Sequence, residues 1–473
     1  MAKILRFVVL ILILVALWCA VLWLGLPQEW TQRFLQNPSL PSLIALHVAP
    51  PLFVVAVWRA CKRVWSWGAA RAEKRAAAKK AAEQEATQVA AKATHQETLE
   101  KRRAYLECRA VWAMAVAHKP DWAEVSAQNS VLTKQGVEEI KGTLRERALI
   151  SSLQQVLDLA LSQCETAVWL PVMLVADAHA PAQLGWIKRA WQEAVEVNGK
   201  SSLPGLSLDC KVLPGNGAIP DRVIALFESN PDLPAVLLVG MDSPLADTPE
   251  TDEEDSGQPK PGHAVAMVLL SRPGLTVPEN ASLRNPERDA NPYTPFWERD
   301  LGQGGDTPGW GRVPPSSRSV FLEGCPAIAT LHRMSAIGSL ATKRSALSRQ
   351  IQDAVQDALV LAGLRELPLK GEEPGSDKQA DSKGGELEWG RLVHDANPDR
   401  LGALALALAN FDCDINPLKE ASDLLEEHGN VGTARGMLML AEALVHAAKL
   451  KKPVLLVETA EGQGMNIGLV RSV

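Results

Sequence analysis

The stretch EHGNVGTARGMLMLAEALVHAAKLKKPVLLVETAEGQGMNIGLV, residues 427–470, decides how the body of this chain folds. It opens on a turn of small residues, HGNVGTARG, and continues into a segment with apolar residues at helical spacing over 433–450. Lys451, Lys452 and Pro453 end that helix, because proline cannot continue the hydrogen-bond ladder. Two short apolar runs follow, 453–458 and 465–470, with the length and flanks of buried strands. A helix delivered into a pair of core strands is the signature of layered α/β packing.

The same alternation extends upstream. Strand-like runs are expected at 168–175, 235–240, 264–270 and 402–409. Helical patterns lie at 181–197, 219–229, 335–364 and 417–427. An α/β body from 104 to 473 follows, long enough for one large domain or for two similar halves at 104–330 and 331–473. The segments 248–262 and 370–385 are rich in acid, Pro and Gly and bury little, which marks them as exposed loops.

Ahead of the body stand two uncharged apolar stretches, 7–26 and 40–58, in a membrane region of 1–67. Each is near the ~20 residues that a helix needs to span a bilayer, so one or two transmembrane helices are expected: two if both stretches span, one if His47, Pro50 and Pro51 leave the second kinked or half-inserted. Lys and Arg flank the outer ends of the pair, which places both ends and the body on the cytoplasmic side of an inner membrane. Residues 68–103, rich in Ala, Lys, Glu, Gln and Arg, read as a charged helical stalk or linker.

Net charge is −6 over 473 residues, and no basic patch points to nucleic acid. Seven scattered cysteines do not form a disulfide framework. The chain holds no CxxC, HExxH, GxSxG or Walker-type loop, so no metal, cofactor or catalytic set is read from motifs. Cys325 and His332 are seven residues apart, ~10 Å along a helix or ~23 Å along a strand, too far for a direct dyad. The turn at His428, Gly429 and Asn430 offers backbone N–H groups at a helix start.

That turn, its helix and the hairpin resemble the closing element of thiolase-like, ketoacyl-synthase-type domains. In active members of that superfamily a catalytic histidine occupies a comparable turn, and the nucleophilic cysteine starts a buried helix in the first half. The resemblance implies a vestigial pocket at His428, Gly429, Asn430 and Cys325, and a homodimer in keeping with such domains.

A second resemblance covers more of the chain. YLECRAVWAMAV (105–116), SNPDLPAVLLVGMDSPLAD (229–247), NPYTPFWERDLGQG (291–304) and FLEGCPAIATLHRM (321–334) together resemble the membrane-anchored adaptors of bacterial type VI secretion that escort a lipase effector. This implies a thiolase-like body without enzyme activity, binding a lipase-type effector in the cytoplasm and passing it to a spike protein, with no cofactor. Phe296, Trp297, Arg299 and Trp310 are the aromatic and Arg candidates for partner contact. The alternative is a membrane-tethered acyltransferase or ketoacyl-synthase-like enzyme that pairs Cys325 or Cys164 with His428.

Overall fold

A computed structural model of the chain describes residues 13–21, 24, 40–116, 125–127, 130–135, 145–176, 180–200, 203, 206–244, 260–277, 309–365, 388–409, 415, 420–460 and 464–473. The chain divides into two units, Met1–His95 and Gln96–Val473. One helix, α1 (Leu40–Lys101), crosses that division and runs through Pro50 and Pro51. Its later part is stitched by i,i+4 pairs of the kind that support an exposed helix, such as Lys101 to Glu97 at 2.8 Å.

The expectation of one or two spans is corrected here. Among the described residues no helix is long and apolar enough to cross a membrane. The apolar residues 40–58 are the opening of a 62-residue helix whose remainder is charged, and two prolines interrupt its backbone bonding. Of 7–26, only 13–21 and 24 are described, all helical.

The body is one hydrogen-bonded sheet folded from two halves of identical topology. The first contains β1 (Tyr105–Val116), α2 (Arg145–Gln163), β4 (Val172–Val175), α3 (Ala180–Val197), β5 (Cys210–Val212), α4 (Ile219–Ser229), β6 (Ala235–Asp242) and β7 (Ala264–Ser271). Two short strands, β2 (Val125–Ala127) and β3 (Ser130–Gln135), hang from the end of β1. After α5 (Pro315–Gly324) the second half repeats the plan. It contains β8 (Ala329–His332), β9 (Ser335–Ile337), α6 (Arg344–Leu361), β10 (Arg391–His394), α7 (Pro398–Ala409), β11 (Ala421–Asp423), α8 (Leu424–His428), α9 (Arg435–Leu450), β12 (Val454–Ala460) and β13 (Gly464–Ser472).

The spatial order is β11-β10-β12-β13-β8-β1-β7-β6-β4-β5. Read outward from the β1/β8 seam, each half places its five main strands in the same sequence: first, fifth, fourth, second, third. The pairings agree as well, since β4–β6 and β10–β12 are parallel while β6–β7 and β12–β13 are antiparallel. β1 and β8 join the halves antiparallel, Tyr105 opposite His332.

Strand alternation sorts the core into layers. Val236 and Leu238 of β6 face a central cluster with α4 and α9, whereas Leu237, Val239 and Met241 face α2 and α3. Val454 and Leu456 of β12 join the same central cluster, and Leu455 and Val457 face α6 and α7. Five layers result: helices, sheet, central helices, sheet, helices. α9 is the middle of this stack, buried at Met437 through Val445. Each fully buried Leu or Met there contributes roughly 1.5–3 kcal/mol.

Several elements differ from their sequence expectation. Residues 402–409 lie in α7 rather than in a strand. Their Ala/Leu alternation has strand period, but Ala and Leu are strong helix formers and Asn397 caps the helix by accepting from the Arg400 N–H at 3.1 Å. Ser335, expected in a long helix, begins β9, and α6 starts only at Arg344. Of the helix expected over 417–427, residues 417–419 lie outside the described residues, and 421–427 fall in strand β11 and the five-residue α8. The expected strand over 168–175 begins as a 3-10 turn, Glu165–Trp169. Residues 370–385 and nearly all of 248–262 lie outside the described residues.

Candidate functional site

The site grows from the turn between α8 and α9. Asp423 caps α8, its Oδ1 accepting from the Leu425 N–H at 3.1 Å and the Glu426 N–H at 3.3 Å. Asn430 then pairs as an isolated parallel bridge with Pro261, its N–H donating to the Lys260 carbonyl at 2.7 Å. Its side-chain oxygen accepts from the Gly432 N–H at 3.0 Å. Gly432 has φ +54 and lies against the Asp242 carboxylate, where a Cβ has no room. Asp242 in turn accepts from both the Thr433 N–H, 2.8 Å, and the Thr433 hydroxyl, 3.1 Å. The turn is therefore tied to the end of β6 through Asp242 and to the segment before β7 through Lys260 and Pro261.

His428 is fully buried. Its Nδ1 donates to the Val116 carbonyl at the end of β1, 2.6 Å, and its Nε2 meets Glu442 Oε1 of α9 at 2.7 Å. A carbonyl and a carboxylate both accept, so both ring nitrogens act as donors. Burial is the largest influence on this imidazole and opposes its protonation. The Glu442 hydrogen bond and charge, the Val116 carbonyl and Glu427 outweigh it and hold the pKa above the ordinary histidine value. Glu427 and Glu442 are themselves buried, and the ligand atoms of the trio lie within 4.8 Å of one another.

The polar chain continues beyond His428. The Val116 N–H donates to the His263 carbonyl at 2.9 Å, and His263 Nε2 pairs with Ser152 Oγ of α2 at 3.0 Å. Ser152 and His263 are both fully buried. None of Glu427, Glu442, Ser152 or His263 is singled out by a sequence motif. Glu442 carries a usable signal even so, as the one acidic residue inside the apolar run 437–448.

Cys325 does not share this site. It lies with Cys164 in the cluster on the α2/α3 side of the sheet, whereas α9 belongs to the central cluster. The Cys325 carbonyl accepts from Arg109 Nη1 at 2.9 Å. The neighbouring Cys164 thiol pushes Cys325 up, with burial acting in the same direction. Interaction with Cys325 draws Cys164 down against burial, helped by Thr166, the Ala167 N–H and Lys200. The Cys–His pair of the alternative reading is thus not assembled with either cysteine. The buried helix of the first half, α4, opens Gly217-Ala218-Ile219-Pro220, without a thiol at its start.

Of the aromatic candidates, Phe296, Trp297 and Arg299 lie outside the described residues. Trp310 is core: it is 4% exposed, donates from Nε1 to the Thr276 carbonyl at 3.0 Å, and meets Phe321 edge-on with ring centres 6.1 Å apart. It pins the chain to the first half rather than offering a ring to a partner.

No family model matches the chain, and no curated protein matches it. Among solved structures the chain is similar to the peroxisomal 3-ketoacyl-CoA thiolase of Saccharomyces cerevisiae, described as a five-layered α-β-α-β-α structure built from two core domains of identical topology. That similarity has a TM-score of 0.40 at 9% identity, over 79% of this chain and 100% of that one. It is also similar to the acyltransferase ChlB3, with a TM-score of 0.38, 15% identity, and coverage of 78% and 98%. A third is the 3-oxoacyl-[acyl-carrier-protein] synthase III of Aquifex aeolicus, with a TM-score of 0.37, 12% identity, and coverage of 77% and 99%. The chain itself shows two halves that place their five main strands in the same order. The expectation that the chain is not an enzyme is withdrawn on this finding, since the solved structures it is similar to are acyl-transfer enzymes by name.

Proposed function

We propose that the chain is an adaptor of bacterial type VI secretion whose body binds a lipase-type effector and passes it to a spike protein. The observation that carries this reading is the set of four stretches resembling that family, 105–116, 229–247, 291–304 and 321–334. Three of them fall on connected framework: 105–116 is β1, 321–334 runs from α5 through β8 beside it, and 229–247 contains β6. The third stretch, 291–304, is outside the described residues. The test is co-expression of the tagged full chain with a candidate lipase effector and a spike protein. Co-purification of the lipase, and loss of its export when the chain is deleted, support the reading. Normal export without the chain sinks it.

A second reading, thiolase-class acyl transfer, is favoured by one feature of the site, the His428–Glu442 pair in the turn before the central helix. Here His428 is the proton-handling group, and the acyl acceptor is a thiol other than Cys164 and Cys325, which lie on the other side of the sheet. A thiol-directed acyl trap that labels one cysteine, with labelling lost when that cysteine is replaced by alanine and when His428 is replaced by glutamine, would favour it. Uniformly slow alkylation of all seven cysteines would remove it.

A further inference from the structure

The junction between the halves places two carboxylates and one imidazole in a fully buried position, and their chemistry is that of a ligand set. Adjacent residues of α8 supply Glu427 and His428, and α9 supplies Glu442. Their donor atoms lie within 4.8 Å of one another. The second carboxylate oxygen of Glu442 has no hydrogen-bond partner, although the side chain is 0% exposed. An orphaned carboxylate oxygen in a core is rare enough to require an occupant or a shared proton.

The surroundings have the form of a metal site's supporting shell. His428 Nδ1 donates to the Val116 carbonyl at 2.6 Å, which fixes the ring and leaves Nε2 as the atom for a metal. Asp423 locks the start of α8 and so positions both of its ligands. We propose that Glu427, His428 and Glu442 form a buried site for one divalent transition-metal ion of the zinc or manganese kind, held by His428 Nε2 and one oxygen of each carboxylate. Imidazole with carboxylates is a donor set that suits such ions. Binding displaces the proton on Nε2 to solvent. It also opens the Nε2···Oε1 distance from 2.7 Å to about 3.3 Å, the spacing of two ligands ~2.0 Å from a tetrahedral ion. The ion would bridge the turn to the central helix while His428 holds the end of β1, so its effect is on the seam between the halves.

The site is independent of the effector reading: metal uptake without effector capture, or the reverse, separates the two. The experiment uses the full chain stripped with chelator and titrated with Zn²⁺ and, separately, Mn²⁺. Metal content is read by mass spectrometry, and unfolding is followed by circular dichroism. Expected are one ion per chain and a melting temperature raised by at least about 4 °C at ion concentrations ~100-fold above Kd. X-ray absorption should show a nitrogen/oxygen shell with one imidazole. Glu442→Gln and His428→Gln should each abolish uptake. A folded, stripped protein that takes up neither ion overturns the proposal and leaves a shared proton as the occupant. A sulfur-containing shell, or uptake retained in both variants, overturns it too. If the variants fail to fold, the wild-type stoichiometry and absorption shell still decide.

Discussion

Arg109 shows how much of this core depends on polar groups inside it. Its guanidinium is 4% exposed and forks to Ser271 Oγ at 2.6 Å, the Cys325 carbonyl at 2.9 Å and Glu107 Oε2 at 2.8 Å. Burial lowers its pKa, and the Glu107 charge opposes that shift. Removing it strands three acceptors, so Arg109→Ala should cost roughly 3–5 kcal/mol in urea unfolding. Arg109→Lys keeps the charge, loses the fork and should fall between the two.

Two histidines set an acid limit. Burial, then the charge of Arg471, draws His332 down to about 4; burial, then Arg391, does the same for His446, also to about 4. The unfolded chain therefore binds protons that the folded chain refuses between about pH 6.5 and pH 4. Stability should fall as pH drops through that window, by on the order of 2–3 kcal/mol for each histidine. His428 has the opposite sign: its raised pKa gives stability that is present below about pH 6.5 and lost on alkalinisation. Unfolding midpoints at pH 4.5 and 7 for the His332→Gln/His446→Gln double variant should differ less than those of the parent. An unchanged slope would show that other groups carry the acid loss.

At the scale of elements, β6 and α9 meet in a tight joint. A Cβ on Gly240 would lie 2.5 Å from Met437 Cβ, so the strand and the central helix approach at this point only because the residue has no side chain. Gly240→Ala should destabilise by about 1–3 kcal/mol through overpacking, and adding Met437→Ala should recover part of the loss. A double variant no better than the single one would place the strain elsewhere.

Element reading from sequence succeeded where two independent signals agreed. α4 and α9 combined apolar spacing with strong helix formers, and β6, β7, β12 and β13 were short apolar runs bounded by turns. It failed where they conflicted, as over 402–409, where period and propensity pointed to different structures. It also passed over β1 as a strand, since YLECRAVWAMAV carries Arg109 and Glu107 inside an apolar run. Their mutual pairing, which makes burial tolerable, is not visible without coordinates.

For the molecule as a whole, the central cluster decides how it unfolds. Side chains from β1, β6, β7 and α4 of the first half pack with those of β8, α9 and β12 of the second in one apolar mass. Separating the halves would expose both faces of α9. The body should therefore unfold in one cooperative step, with fluorescence of the first-half rings Trp112, Trp191 and Trp310 matching hydrogen exchange of β12 and β13. Two separated midpoints would show instead that each half is stable alone.

By itself the sequence determined the α/β class of architecture and the helix and hairpin within residues 427–470. These follow from local periodicity and from the chemistry of Gly and Pro, which act over a few residues. The tertiary structure alone decided what His428 touches. Its partners are Val116, 312 residues away, and Glu442, fourteen residues on. It also decided that Cys164 and Cys325 face the other side of the sheet. Which distant groups meet depends on strand order across the β1/β8 seam, and pairing of that range leaves no periodic trace in one chain.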